Sequence, residues 1–341
     1  MLRPEVSILM PVRQWRPSTD AAIASILAQS MKSFELLLIG QQEIGQLSDQ
    51  LPRDPRIRIV PRRRAGIVGA LNTGLAEARG HYLARMDDDD IAYPDRLAAQ
   101  LTHLQGPTGT QLCGGRIRFV DSAGNTDTIA RGNREYAQWL NALTSHADIL
   151  AARFIECPLP HPTLMAHRDI WQRIGPYRDF DGPEDYDLVL RATLAGVRVG
   201  KPDAVLLDWQ EHPERLTYAD SRYRRDAFAA CRAQAACDAR SGLGLANGRS
   251  VWLCGTGRNA RQWHDALTRE GASVEGFVDL HRHGPQRSKR GKPVISYEQL
   301  PERRCDALVI GAVAGPVARA ALLDYFGKQQ WRSGHEFVLG S

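Results

Sequence analysis

Tyr82-Leu83-Ala84-Arg85-Met86-Asp87-Asp88-Asp89-Asp90 is a short apolar run that passes directly into four consecutive aspartates. A run of this length, bounded so sharply, reads as a buried strand. Just before it, Gly66–Arg79 has helical spacing, with Leu71 and Leu75 four apart and Gly80 as a C-terminal stop. Further back stand the apolar runs Ile57–Val60, Phe34–Ile39 and Val6–Met10, the last closed by Pro11. Ser18, Thr19 and Asp20 offer caps to a helix with Ile23, Ile26 and Leu27 on one face. Strand and helix alternating at this spacing predict an α/β fold, a mainly parallel sheet flanked by helices.

The aspartates matter because of their place. Ligands of open parallel sheets bind outside the carboxyl ends of the strands, and Asp87–Asp90 sit at such an end. Carboxylates this dense repel one another unless solvent or a cation relieves them. Residues two apart in an extended segment point the same way, so Asp87 and Asp89 can converge on one hard divalent ion, Mg²⁺ or Mn²⁺, together with substrate phosphates. A solvated acidic turn with Asp90 capping a helix fits the same four residues.

Composition narrows the classes. The chain has 341 residues, 43% of them hydrophobic, and 44 Lys+Arg against 39 Asp+Glu, a net charge of +5. That excludes a disulfide-stapled mini-protein and a disordered chain. At roughly 150 residues per domain, two domains are expected. The small charge excess gives no reason to expect a nucleic-acid partner. Cys113, Cys157, Cys231, Cys237, Cys254 and Cys305 form no zinc-binding spacing and read as buried thiols of a reducing compartment. No apolar stretch approaches the ~18 residues of a membrane span. Val6–Val12 runs into Arg13, Gln14 and Trp15 with no cleavage signal. A cytoplasmic protein is expected, with at most peripheral contact at the inner face of the membrane.

Downstream, a loop spans Asp121–Asn133, a helix starts near Glu135, and Cys157–Pro162 is proline-rich. A long helix is expected from Tyr218 to Arg240. Ser241-Gly242-Leu243-Gly244 and Asn247-Gly248 then break the pattern, dividing the chain into domains 1–245 and 246–341. The second restarts with strand Val251–Cys254, a helix to about Glu270, strand Val274–Asp279 and strand Ala307–Ile310.

Read together, Val6–Val12, Gly66–Gly80 and Ala84–Leu97 strongly resemble the family 2 glycosyltransferases. So do Pro160–Met165, Gly175-Pro176-Tyr177-Arg178, Pro183–Arg191 and Leu207–His212. The resemblance covers about residues 5–240. It implies the GT-A fold and metal-dependent, inverting transfer of a sugar from a nucleotide-sugar donor to a glycan or lipid-linked acceptor hydroxyl, in cell-surface polysaccharide or lipopolysaccharide assembly. By position, Asp87 and Asp89 match the metal-binding DxD motif, Asp89 as direct ligand and Asp87 near the ribose. Asp185, beside Glu184, matches the catalytic base, and His212 a position able to reach metal or diphosphate. Pro11, Arg13, Gln41, Asn72, Arg85 and Asp88 fall on the donor side. A base takes the acceptor proton as the hydroxyl attacks, while the metal offsets charge on the leaving diphosphate. Asp185 could equally cap a helix over Tyr186–Leu194.

The donor side also departs from the family. Phe34–Ile39 leads into Gly40-Gln41-Gln42-Glu43 where an acidic pair is usual, Arg13 replaces a common Tyr or Asn, and Gln210 replaces Arg. A non-catalytic nucleotide-sugar or glycan binder is therefore the second reading. In the C-terminal part, Gly255-x-Gly257-x-x-Ala260 after a strand, with Asp279 ending the next, fits a dinucleotide fingerprint. Gly291–Ile295 and Leu308–Ala312 resemble the nucleotide-sugar-binding domain of sugar acyltransferases and extensions of some family 2 glycosyltransferases. A Rossmann-like accessory domain is expected. An NAD-dependent oxidoreductase centred on Gly255 ranks last, since it gives Asp87–Asp90 no task. Arg287-Ser288-Lys289-Arg290 is a basic patch that fits a solvated loop or lipid head groups.

Overall fold

The computed structural model describes residues 3–41, 52–279, 287–303 and 307–340. They form two compact units, each drawn from more than one stretch of chain. One comprises Met1–Ile149, Pro158–Phe180 and Asp187–Ala219; the other comprises Leu150–Cys157, Asp181–Tyr186 and Asp220–Ser341.

In the first unit the apolar runs become strands β1 (Val6–Pro11), β2 (Phe34–Gly40), β3 (Ile57–Pro61) and β4 (Tyr82–Arg85), with helices α1 (Pro17–Leu27) and α2 (Gly66–Glu77) between them. These strands pair in parallel in the order β3-β2-β1-β4. Leu9 lies opposite both Leu37 and Arg85. Every residue of β1 and β2 is buried, as expected of parallel strands covered on both faces. Ile8, Met10, Ile23, Ile26, Leu36, Leu38 and Met86 share one core. On the opposite face α2 lies so close that a Cβ on Gly74 would fall 2.3 Å from the Leu9 side chain.

The helix α2 ends at Glu77, short of the expected Arg79. The amides that would continue it are captured elsewhere: Arg79 N–H donates to Glu35 Oε1 (2.6 Å) and Gly80 N–H to Ser7 Oγ (2.7 Å). Glu35, only 5% exposed, also accepts from Ser7 (2.6 Å) and pairs with Arg58 (2.6 Å). This network closes the amino end of the sheet.

Beyond β4 come β5 (Ile91–Ala92), α3 (Arg96–Gln105), β6 (Leu112–Cys113), β7 (Arg116–Val120), α4 (Arg131–Ala142), α5 (His146–Ala152), β8 (Met165–His167) and α6 (Arg168–Ile174). Then follow α7 (Glu184–Leu194), β9 (Val199–Gly200), β10 (Val205–Gln210) and α8 (Leu216–Ala219). Strand β8 pairs antiparallel with β4 and β6, completing the seven-stranded sheet β3-β2-β1-β4-β8-β6-β9. A second sheet, β5-β10-β7, carries the chain from Gln210 to His212.

The single helix expected over Tyr218–Arg240 is broken. Asp220 accepts the Arg222 N–H (3.0 Å) and starts a 3₁₀ turn over Ser221–Tyr223; Arg224 is extended, and α9 runs only over Arg225–Cys237. Aspartates bond nearby backbone amides in competition with the helix. Asp238 repeats the effect, accepting the Arg240 N–H at 2.8 Å.

The second unit continues with β11 (Ser250–Cys254), α10 (Arg258–Arg269), β12 (Val274–Asp279), β13 (Arg287–Lys289), β14 (Lys292–Ser296), β15 (Ala307–Ala312), α11 (Pro316–Lys328) and β16 (Phe337–Gly340). Strands β14-β12-β11-β15-β16 are parallel, the doubly wound order, and β13 adds antiparallel at the edge. The helix α9 packs on α10. There Trp263, fully buried, meets Phe154 edge-on (6.3 Å between ring centres), and the Arg232 guanidinium lies 5.7 Å from its ring.

Candidate functional site

The carboxyl end of β4 is fixed by backbone bonds on both sides. Met86 N–H donates to Leu9 O (3.0 Å) and Arg85 N–H to Leu164 O (2.8 Å). Arg96, fully buried, adds a clamp: its guanidinium donates to Arg85 O and to Pro162 O (2.7 Å), and burial lowers its pKa to about 10. Gln100, one helical turn on, donates to Thr163 O (2.6 Å) and Gly114 O (3.1 Å). The acid-bearing segment leaves a strand end held from three directions.

Past that end, Asp87, Asp89 and Asp90 bring carboxylate oxygens within 4.8 Å of one another. Asp87 pairs with Arg85, whose side chain is 4% exposed and whose Nε makes no hydrogen bond among the described residues. Asp89 Oδ2 lies 2.8 Å from His212 Nε2. Asp90 caps no helix. Its Oδ1 accepts the Gln210 N–H (2.9 Å) from β10, while its buried Oδ2 has no partner among the described residues. Burial first, then the charges of Asp89 and Asp87, push the Asp88 carboxyl up to about 8. Burial and the same kind of repulsion raise Asp90 well above the ordinary range. Burial raises Asp87 also, against the pull of Arg85. An all-oxygen set with a buried, unmatched oxygen and carboxyls biased toward protonation is what a hard divalent cation would relieve.

The parallel order brings other expected residues to this edge. Pro11 ends β1, with Arg13 exposed just beyond it, and Gln41 is exposed after β2. Gln42 and Glu43 lie outside the described residues. Asn72 is differently employed: its amide bonds both the N–H and the C=O of Tyr177, each at 2.9 Å, tying α2 to the Gly175–Arg178 segment. The Tyr177 hydroxyl meets His161 Nε2 at 2.9 Å, and burial, then the Arg85 charge, holds His161 well below its usual pKa. Asp208 is taken by Arg118 (2.8 and 2.7 Å) and Tyr93 (3.1 Å).

In the second unit, α7 begins at Glu184, so Asp185 lies within the first turn and not at the cap. Its Oδ1 accepts the Tyr186 N–H (2.7 Å), and the residue is half-buried. Glu184 is 1% exposed and accepts the Tyr223 hydroxyl at 2.8 and 2.9 Å. Gly255 follows β11 with φ +108°, Gly257 caps α10, and Asp279 ends the neighbouring β12, so all three sit at one end of that sheet. Arg290 of the basic patch is paired with Asp265 (2.6 Å).

Sequence reading did not find Arg96, Gln100, Arg222 or Tyr223. Arg96 and Gln100 are four apart on α3, a spacing that puts them on one face, but nothing in composition says that this face is buried.

Among the described residues no helix is long and apolar enough to cross a membrane. Residues 7–170 match the family model for glycosyl transferase family 2. An uncharacterized glycosyltransferase of Rickettsia felis is 34% identical over 49% of this chain and 27% of its own length. The O-antigen biosynthesis glycosyltransferase WbnJ of Escherichia coli is 29% identical over 54% of this chain and 70% of its own. The chain thus spans 27% of the first relative and 70% of the second. Residues 1–349 of S. aureus TarS, solved with UDP-GlcNAc, share the fold with TM-score 0.54 at 12% identity, covering 78% of this chain and 80% of that one. Sequence and fold point the same way: residues 7–170, just under half of the chain, match glycosyl transferase family 2, and the fold is shared with TarS over 78% of the chain.

Proposed function

We propose that the protein transfers a sugar, with inversion, from a nucleotide-diphosphate donor to the hydroxyl of a glycan or lipid-linked acceptor, in assembly of a cell-surface polysaccharide or lipopolysaccharide. The observation that carries this is the convergence of Asp87, Asp89 and Asp90 within 4.8 Å, with one buried Asp90 oxygen unmatched among the described residues, in a stretch that matches family 2. Asp89, with Asp87 and His212, would hold Mn²⁺ or Mg²⁺, which when bound offsets the charge that builds on the departing diphosphate. Arg85 keeps Asp87 oriented by their ion pair. Pro11, Arg13 and Gln41 line the donor side, and Asp88 stands beside the ligands.

Of the two acids at the start of α7, Glu184 is 1% exposed and accepts the Tyr223 hydroxyl, whereas Asp185 is half-buried, and we assign to Asp185 the role of base for the acceptor hydroxyl that the family resemblance gives it. The WbnJ relative supports a polysaccharide pathway. We assign residues 246–341 to an accessory domain, with Gly255, Gly257 and Asp279 as its candidate nucleotide contacts.

Calorimetry with UDP, GDP, dTDP and ADP, with and without Mn²⁺, tests the donor site. Metal-dependent binding of one nucleotide is expected, lost at least about 100-fold in Asp89→Ala and retained in Asp185→Asn, which stops transfer. A folded protein that binds none of the four would move the reading to a non-catalytic glycan binder.

A further inference from the structure

Glu184 and Asp185 are adjacent carboxylates in quite different surroundings. Glu184 is 1% exposed, and the Tyr223 phenol oxygen lies 2.8 Å from one of its oxygens and 2.9 Å from the other. The Arg222 guanidinium stands 3.8 Å away. A buried carboxylate is costly unless bonded and paired, and here one side-chain pair from a single 3₁₀ turn supplies both. That turn is itself fixed, since Asp220 accepts the Arg222 N–H at 3.0 Å and pairs with its Nε at 3.3 Å. Burial, then the Glu184 charge, raises the Tyr223 pKa far above its ordinary value, so the phenol remains a donor.

On the other side of Asp185, Tyr186 is fully buried. Its hydroxyl bonds Arg153 O, and its ring packs against Phe228 at 5.8 Å. Both neighbours of Asp185 are therefore anchored to distant parts of the chain.

From this geometry we propose that Tyr223, with Arg222, is a positioning residue for Asp185, acting through Glu184. The proposal rests on Asp185 being the proton acceptor. Tyr223 need touch no reacting atom. By fixing the plane of the Glu184 carboxylate it fixes the first turn of α7, and with it the place from which Asp185 works. A misplacement of about 1 Å in such a group can cost 100-fold in rate.

The test is Tyr223→Phe in the full chain, which keeps the ring and removes the hydroxyl. Turnover is read as nucleoside diphosphate released from UDP-, GDP-, dTDP- and ADP-sugars with Mn²⁺. We expect kcat to fall about 10- to 100-fold while nucleotide affinity stays unchanged. Glu184→Gln should do the same, and the double variant should be no worse than the lower single one, because both changes break one link. Additive losses, or full activity of Tyr223→Phe beside an inactive Asp185→Asn, would overturn the positioning role and spare the base. Full activity of Asp185→Asn would remove the base reading and this proposal together. Hydrogen exchange needs no substrate. Amides of residues 184–190 should exchange faster in Tyr223→Phe, with 250–279 unaffected, and unchanged exchange at 184–190 would also overturn the proposal.

Discussion

Two strand ends in this chain obey the same topological rule and carry very different chemistry. Strand β4 runs out into Asp87–Asp90; strand β11 runs out into Gly255–Arg258 at the start of α10. Both are carboxyl ends of parallel strands inside a sheet, where ligands are expected. At β4, three carboxylates crowd within 4.8 Å, a buried Asp90 oxygen and the Arg85 Nε lack partners among the described residues, and carboxyl pKa values rise. At β11, the Arg261 guanidinium returns to Thr256 O (3.1 Å), and Gly257 faces open space. Topology nominates both edges alike, and polar atoms left unmatched at β4 are what set it apart as the candidate site.

Substitutions can break or sharpen that contrast. The largest effect should come from Asp87→Ala, which leaves the buried Arg85 without its ion pair. A loss of about 4 kcal/mol in denaturant unfolding is expected, partly restored when Arg85→Met is added. Arg96→Met should cost about 3 kcal/mol, because it leaves the carbonyls of Arg85 and Pro162 buried without a donor. At β11 the costs should be smaller and unequal. Gly255→Ala places a Cβ 3.0 Å from Ala312 O at φ +108°, a strain of about 2 kcal/mol, whereas Gly257→Ala should stay within about 0.5 kcal/mol. If the two cost the same, the glycines are not distinguished by geometry.

Acid and base responses sharpen the contrast within the first sheet. Glu35, at its amino end, has a pKa below 4.5: burial raises it, but the bonds from Ser7, Arg58 and Arg79 outweigh that. Its contribution is present above 4.5 and lost as pH falls through the lowered value. Asp88 has the opposite sign. Raised from 3.8 to about 8, it favours the folded state below 3.8, and that contribution is lost as pH rises toward 8. In thermal melts of metal-free protein, Glu35→Gln should flatten the acid limb and Asp88→Asn the decline toward pH 8. Added Mn²⁺ should stabilise the wild type more at pH 8 than at pH 5.

Much of this was legible in the sequence because it depends on local runs. The apolar stretches at Val6, Phe34, Ile57 and Tyr82 became the parallel strands, and the acids after the last lie past its carboxyl end. What escaped depends on partners far along the chain. Asn72 was expected on the donor side, yet its amide serves the Tyr177 backbone. Arg96 looks like any helix arginine until the carbonyls of Arg85 and Pro162 close over it. The break in the Tyr218–Arg240 helix turns on Asp220 and Asp238, whose capping bonds compete with a composition rich in helix formers.

The second unit is assembled from segments that leave the ribosome at widely separated times. Phe154 and Ile155 emerge early, the turn bearing Glu184 later, and α10 and β16 last. Trp263, which meets Phe154 and approaches Gly340, cannot settle until β16 has been made. The segment 150–157 is made before the partners it packs on in the folded chain. The order of synthesis thus leaves the core of the second unit unfinished until β16 is made.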